Sequence, residues 1–220
     1  MLALFSARTR KGDMRGELKM MKGKLFLGAT LAIAMTVSAV SSPFAMAAGT
    51  EIVLADFNTG SKPSNIDGDF GAWNKDPNDE TQGITMSFVS DDALGDSAGY
   101  SIRLDYDVDS PNPAYNGFWM KLNNVDATPY KALTFYIKGD ATAGFTKRLK
   151  IELKDIGNKP SSYIVANVTE KWQKVSIPFD KFRFVKDWSS LNEFVVTFDD
   201  VNSRPKKGTI YIDQIVLAKE

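Results

Sequence analysis

The sequence predicts an all-β protein, built as a two-sheet antiparallel β-sandwich of about ten strands. After residue 50, short runs rich in Val, Ile, Thr and aromatic residues recur along the whole chain. Gly, Pro, Asn, Asp and Ser fill the gaps between these runs, as they do between strands. No segment shows the apolar period of a long amphipathic helix. The chain contains no cysteine, so the fold must depend on its hydrophobic core rather than on disulfides.

The predicted strands follow one another through the chain with turn-forming residues between them. They span residues 51–57, 83–89, 100–108, 115–122, 132–139, 148–155, 162–168, 172–179, 192–198 and 208–217. Short strands at this spacing are typical of two packed sheets.

Alternation within the strands predicts which side chains point away from the core. Six outward residues are notable for chemistry: Arg103, Asp105, Trp119, Tyr136, Glu152 and Lys154. Trp119 is the most informative, because it alternates with Phe118 and Met120 and follows Gly117 closely. An outward indole is either a platform for a flat ligand or a ring covered by a crossing loop. Trp172, at the entry to a strand, is instead predicted to plug the core.

The acidic stretch "NIDGDFGAWNKDPNDE", residues 65–80, resembles a calcium loop only superficially. Counted from Asp67, the positions that an EF-hand needs as Gly and Glu hold Ala72 and Asn78. We therefore predict a long ordered loop with turns at its glycines. Trp73 on this loop either folds over one end of a binding face or anchors the loop to the core.

The N-terminal part of the chain predicts export. Lys22 and Lys24 precede an apolar run over residues 25–40, and the sequence Ala-Met-Ala ends at Ala47. A basic region, an apolar region and an A-x-A site together are typical of a secretory signal peptide. We therefore expect residues 1–47 to be removed and the product to be secreted or periplasmic, with no membrane span left after cleavage. Translation from Met20 or Met21 would give a more compact signal.

The remaining residues, 48–220, are expected to form a single domain and a monomer. This part of the chain has more acidic than basic residues, and its Lys and Arg residues are scattered, which argues against a nucleic-acid partner. The chain has no histidine and no cysteine, which excludes Ser-His-Asp triads, Cys nucleophiles and His- or Cys-based zinc sites. Among enzymes, glycosidases with a pair of carboxylates and calcium-assisted lyases are the main classes left.

Three segments carry a family resemblance: "VLADFNTGS" at 53–61, "KWQKVSIPF" at 171–179 and "GTIYIDQIVL" at 208–217. With them, residues 50–219 resemble non-catalytic carbohydrate-binding modules of the galactose-binding-like jelly-roll fold. The chain is similar to family 11 carbohydrate-binding modules and to the domain of Complex I intermediate-associated protein 30. This fold hosts sugar binders, assembly factors and protein binders alike.

The resemblance implies an open sheet face that binds a polysaccharide or oligosaccharide. The outward residues are then the candidate contacts, and we expect one sheet to gather them: Trp119, Tyr136, Arg103, Asp105, Glu152 and Lys154, with Trp73 from the loop. Members of this group also often hold a structural Ca²⁺ between the first and last strands. Asp56 and Asp213 are the candidate ligands for it.

Three functions remain open at this point. The leading one is an exported, non-catalytic carbohydrate-binding protein, so no enzyme activity is expected. The second is a protein-binding or assembly factor that uses the aromatic face as an interface. The third is a jelly-roll glycosidase, which would need two carboxylates such as Asp105 and Glu152 about 5 to 10 Å apart in one cleft.

Overall fold

Eleven β-strands account for the regular structure in residues 51–95 and 99–219, the part of the chain described by the computed structural model. They are β1 (Glu51–Ala55), β2 (Phe70–Asn74), β3 (Gly83–Val89), β4 (Ser101–Asp107), β5 (Tyr115–Val125), β6 (Ala132–Gly139), β7 (Arg148–Asp155), β8 (Ser161–Ala166), β9 (Gln173–Pro178), β10 (Leu191–Asp199) and β11 (Lys207–Ala218). A 3₁₀ turn at Phe179–Lys181 follows β9. Within the described ranges, no helix is long and apolar enough to span a bilayer. The predicted signal peptide, residues 1–47, lies outside these ranges.

The strands form two antiparallel sheets, which confirms the predicted all-β sandwich. The six-stranded sheet has the order β3-β4-β11-β6-β9, and β1 also pairs with β11. The five-stranded sheet has the order β2-β5-β10-β7-β8. Few neighbours in space are neighbours in sequence, and this crossing connectivity between two sheets is that of a jelly roll.

The prediction that residues 65–80 form one long loop was wrong in its centre, because Phe70–Asn74 is strand β2. Phe70 is fully buried, whereas Trp73 lies on the opposite face of the sheet. Among the described strands, β2 pairs only with β5, so it lies at the edge of the five-stranded sheet. A short edge strand with a glycine inside it has a weak strand signal, since it packs on one neighbour only.

The core between the sheets contains the residues that alternation predicted to face inward. Phe118, Met120, Leu133 and Phe135 are all fully buried, as are their apolar counterparts on the other central strands. Burying one such side chain contributes about 1.5 to 3 kcal/mol to folding, so these inward rows stabilise the sandwich. Alternation therefore predicted the core of this fold correctly.

One polar side chain crosses the core to tie the two sheets together. The Nδ2 atom of Asn116, on β5, donates to the carbonyl oxygens of Gly83 and Asp107 at 2.9 and 2.7 Å. These carbonyls belong to β3 and β4 in the other sheet. Nearby, the rings of Tyr106 and Phe198 stack across the sheets at 4.2 Å and 5°. These contacts hold one end of the five-stranded sheet in place.

Candidate functional site

The outer face of the five-stranded sheet carries a groove. Two spaces of about 460 and 470 Å³ share Trp73 and Glu152 as walls. The first is also lined by Trp119, Lys121, Lys154, Glu193 and Val195, and the second by Tyr115, Lys150, Thr197 and residues 199–202. We call these two spaces together the groove.

Strand register explains why these side chains meet. Directly opposed residues on antiparallel strands point to the same face of the sheet. Val195 on β10 lies opposite Trp119 on one side and Glu152 on the other. Further along β10 toward its end, Thr197 and then Asp199 continue the same outward row. The groove therefore follows β10 for the seven residues from Glu193 to Asp199, a span of about 20 Å at 3.4 Å per step between residues.

One wall of the groove is aromatic. It consists of Trp119 and Tyr115 on β5 and Trp73 on β2. The rings of Trp73 and Tyr115 meet edge to face, with centroids 5.8 Å apart at 63°. Each tryptophan lies opposite a glycine on the neighbouring strand, Gly117 for Trp73 and Gly71 for Trp119. The glycines leave the space into which the indoles extend.

The floor at one end of the groove is an ion-paired carboxylate. Glu193 is 9% exposed, and its Oε1 and Oε2 atoms bind the ammonium groups of Lys154 and Lys121, Lys154 at 2.5 Å. Burial raises the pKa of Glu193, but hydrogen bonds from the two lysines outweigh it and hold that pKa below its usual value. The carboxylate is therefore charged at neutral pH, and it holds both lysines beside Trp119.

The other end of the groove is more acidic. Asp199 accepts from the Nδ2 atom of Asn202 at 2.9 Å, and its carboxylate lies 3.5 Å from the ammonium of Lys150. Burial raises the pKa of Asp199, but hydrogen bonds from Asn202 and the charge of Lys150 hold it below its usual value. Asp200 adds a second carboxylate to this end. The charges of the groove nearly balance, with a slight excess of negative charge.

The structure separates the predicted contact residues into two groups. Trp73, Trp119, Glu152 and Lys154 line the groove together. The remaining three, Arg103, Asp105 and Tyr136, lie on β4 and β6 of the other sheet. The expectation that one sheet gathers all of them was therefore wrong. The physical reason is that alternation separates inward from outward positions but does not assign a strand to a sheet.

The outward residues of the six-stranded sheet are largely paired with one another. The guanidinium group of Arg103 binds the carboxylate of Asp105 at 2.9 Å, and Thr209 also donates to that carboxylate. Burial raises the pKa of Tyr136, and the charge of Glu51 adds to this. Asp105 and Glu152 lie on different sheets, so they cannot be the carboxylate pair of one glycosidase cleft.

The prediction that Trp172 packs in the core was wrong. It is half-buried just before β9, and the ammonium of Lys138 lies 5.4 Å from its ring. That ammonium also lies 4.8 Å from the ring of Tyr211. Trp172 is thus a surface tryptophan on the sheet opposite the groove.

The two candidate calcium ligands lie near each other at the first and last strands. Asp213 is 2% exposed, and its oxygens accept from the backbone N–H groups of Leu94 and Gln214 at 3.1 and 2.7 Å. Burial raises the pKa of Asp213 to about 7, and the charge of Asp56 contributes. A buried carboxylate whose charged neighbour is another carboxylate suits a hard cation. In the described ranges, however, no group of three or more acidic side chains forms a metal-binding cluster.

Several residues of the groove were not among the contacts predicted from the sequence. These are Tyr115, Lys121, Lys150, Glu193, Thr197 and Asp199. Most of them lie at outward positions of strands that were correctly predicted. Alternation along residues 193–199, applied as it was to the other strands, would have identified Glu193 and Thr197 as outward.

A jelly roll whose outer sheet face carries a groove with an aromatic wall and a polar floor is the architecture of a carbohydrate-binding module. Residues 62–219 match the family Carbohydrate binding domain 30, and the chain belongs to that family. No curated protein sequence matches the chain.

Solved structures agree on the fold. A family 11 carbohydrate-binding module from Clostridium thermocellum, in complex with a β-1,3-1,4-mixed-linked tetrasaccharide, has a TM-score of 0.55 at 19% identity, covering 78% of this chain and 97% of that one. The module of the cellulosomal cellulase Lic26A-Cel5E from the same organism gives the same score and identity, covering 77% and 95%. An exo-β-agarase has a TM-score of 0.53 at 12% identity, covering 76% of this chain and 25% of the agarase. At these identities the likeness concerns the fold alone.

Proposed function

We propose that this protein is an exported, non-catalytic binder of a neutral polysaccharide, and that the ligand lies in the groove along β10. The observation that carries the proposal is the arrangement of Trp119 and Trp73 on one wall, facing Glu152 and Lys154 on the other. Membership of a carbohydrate-binding family supports the general function. The groove supports the location.

The two walls suit the two kinds of surface that a sugar ring presents. The C–H faces of a pyranose are apolar and stack on an indole, which loses little conformational freedom in doing so. The ring hydroxyls lie at its edge, where charged groups such as Glu152 and Lys154 form strong hydrogen bonds with them. A ring seated against Trp119 would therefore present its hydroxyls to β7.

The dimensions and charge of the groove favour a neutral chain. A groove of about 20 Å accommodates several linked rings rather than a single sugar. Asp199 and Asp200 at one end would repel an acidic polymer, and the charges of the two lysines at the other end are balanced by Glu193 and Glu152. The tetrasaccharide held by the family 11 module makes β-1,3-1,4-mixed-linked glucan the first probe to try.

The proposal includes export and a monomeric state. The basic, apolar and Ala-Met-Ala segments before residue 48 support export. We propose that the protein acts in the periplasm or outside the cell, where polysaccharides are accessible. One groove per chain requires no second copy for binding.

Affinity electrophoresis tests this function directly. The purified protein is run in native gels containing mixed-linked β-glucan, xylan, galactomannan or agarose, with polygalacturonate as an acidic polymer. We expect at least one neutral polysaccharide to retard the protein and polygalacturonate to have no effect. Mobility unchanged by every neutral polymer would contradict the proposed function, and retardation by polygalacturonate alone would contradict the neutral ligand.

A further inference from the structure

Two buried polar atoms beside the groove have no hydrogen-bond partner among the described residues. They are the indole Nε1 atom of Trp73 and the hydroxyl Oγ1 atom of Thr197. Thr197 is 5% exposed and lies on the groove floor. A buried polar atom without a partner is rare in native proteins and calls for a physical explanation.

Strand register places both atoms around a single glycine. Gly117 on β5 lies opposite Trp73 on β2 and also opposite Thr197 on β10. All three positions therefore form one row on the outer face of the sheet. The Nε1 atom of Trp73 lies 3.1 Å from where a Cβ atom on Gly117 would stand, so the indole extends over the glycine toward Thr197.

The space above Gly117 cannot be filled by a side chain of residue 117. A Cβ atom there would lie 1.8 Å from the carbonyl oxygen of Val196, which is backbone and cannot move aside. Residue 117 therefore places no side chain between the indole N–H and the threonine hydroxyl, which flank it in the row. Trp73 and Thr197 both line the same part of the groove.

A hydroxyl group is the ligand that matches this pair. It accepts a hydrogen bond from the indole N–H and donates one to the threonine oxygen, so one group satisfies both atoms. A carboxylate is disfavoured, because Glu152 and Asp199 line the same space. A sugar ring within a polysaccharide keeps hydroxyls at ring carbons that are not in a linkage.

We propose that Trp73 Nε1 and Thr197 Oγ1 form a specificity subsite that binds one hydroxyl group of a neutral polysaccharide above Gly117. This inference rests on the proposed function of the groove. Since both atoms are buried in the free protein, the indole on edge strand β2 moves aside as the ring enters. The subsite selects rings whose hydroxyl at that position is free rather than linked or substituted.

Two variants, each of which removes one of the two polar groups, test the subsite. Thr197→Val removes the hydroxyl and keeps the shape, and Trp73→Phe keeps a ring but removes the N–H. Isothermal titration with mixed-linked β-glucan, or with the panel polysaccharide that retards the wild type most, measures the affinity. We expect each variant to bind about 3- to 10-fold more weakly, the effect of one net hydrogen bond. The double variant should lose less than the product of the two losses, because both atoms bind one group.

Thr134→Val is the matched control. The hydroxyl of Thr134 is also buried and without a partner among the described residues, but it lies on β6 in the other sheet. Both valine variants should keep or raise the melting temperature, since each removes an unsatisfied polar group. Only Thr197→Val should weaken binding.

Three outcomes would overturn the subsite or its basis. If Thr197→Val binds like the wild type while Trp119→Ala binds more weakly, the subsite is wrong and the groove function stands. If Thr197→Val lowers the melting temperature and leaves affinity unchanged, the hydroxyl of Thr197 forms a hydrogen bond with an ordered water molecule rather than with a ligand. If no polysaccharide binds the wild type, the proposed function fails and the subsite fails with it.

Discussion

Trp119 lies directly opposite Gly71 in the β2–β5 pair, and a Cβ atom on the glycine would come within 3.5 Å of the indole Nε1 atom. The ring therefore rests beside bare backbone instead of beside another side chain. Lys121 and Lys62 approach the ring, with ammonium groups 5.7 and 6.0 Å from it. These contacts hold the indole in a fixed orientation at the groove, which lowers the entropy lost when a ligand binds.

Trp119→Ala should weaken polysaccharide binding by about 1 to 3 kcal/mol, the range for losing one stacked aromatic platform. The free energy of unfolding should change little, since an outward ring leaves no cavity in the core. Affinity electrophoresis and thermal melting measure the two effects. Trp172→Ala, a half-buried tryptophan on the other sheet, is the control and should bind normally. A large loss of stability with normal binding would show that Trp119 is structural.

Gly117→Ala should destabilise the protein by about 1 to 3 kcal/mol, the usual result of forcing an extra group into packed structure. The added Cβ atom would lie 1.8 Å from the Val196 carbonyl oxygen, so β5 and β10 would have to separate. Urea denaturation measures the change. Gly83→Ala is the matched control, because nothing lies within 4 Å of its Cβ position. Equal stability of the two variants would contradict the close packing of β5 on β10.

Glu193→Gln should cost about 1 to 3 kcal/mol of stability at pH 7, between the values for exposed and buried ion pairs. The pKa of Glu193 is lowered by its lysine partners although burial raises it. Its contribution is therefore present above the pKa of the unfolded state and is lost as the pH falls through the lower folded pKa.

The difference in stability between the wild type and Glu193→Gln should accordingly shrink in acid, as urea denaturation across a pH series would show. Glu152→Gln is the control, because the one hydrogen bond that Glu152 makes within the described ranges is weak, from the hydroxyl of Ser162 at 3.3 Å. A difference that stays constant with pH would show that the ion pairs do not stabilise the fold.

Asp213 should make stability fall with rising pH when no metal is present. Its folded pKa is raised to about 7 by burial and by Asp56. The folded state then holds a proton that the unfolded state has lost, so the free energy of unfolding decreases between about pH 4 and 7. Asp213→Asn should remove this dependence in melting curves recorded with chelator.

We propose that a Ca²⁺ ion bound at Asp56 and Asp213 offsets the stability lost when Asp213 ionises. An ion that binds only the folded state stabilises that state. Calcium should raise the melting temperature of the wild type at pH 8, where Asp213 is ionised, and leave Asp213→Asn unchanged. A melting curve indifferent to calcium and chelator, with no metal found by elemental analysis, would refute the site.

Cleavage after Ala47 should leave Ala48 as the N-terminus of the exported protein. Mass spectrometry of protein recovered from the periplasm or medium would show it. Replacing Ala45 and Ala47 by larger residues should block processing, since the cleavage site requires small side chains. Exported material that still begins at Met1, Met20 or Met21 would contradict the prediction.

The class of the fold and most of its core could be predicted from the amino-acid sequence alone. Period-two alternation is a local property of a strand, so Phe118, Met120 and Leu133 could be assigned inward and Trp119 outward from the chain alone. Strand β2 was not predicted from the sequence, because an edge strand packs on a single neighbour and Gly71 interrupts the alternating pattern of this one. Where the local preference for a strand is weak, pairing with the neighbouring strand decides whether the segment becomes one.

Which residues line the groove depends on the assignment of strands to sheets and on their order within each sheet. Trp119 and Tyr136 look equivalent in the sequence, yet β5 and β6 belong to opposite sheets, so the two rings lie on opposite sides of the molecule. Glu193 meets Lys121 and Lys154 because β10 lies between β5 and β7, although these strands are far apart in the chain. The order of strands in a sheet follows from how all the apolar faces are buried together, and no short segment contains that information.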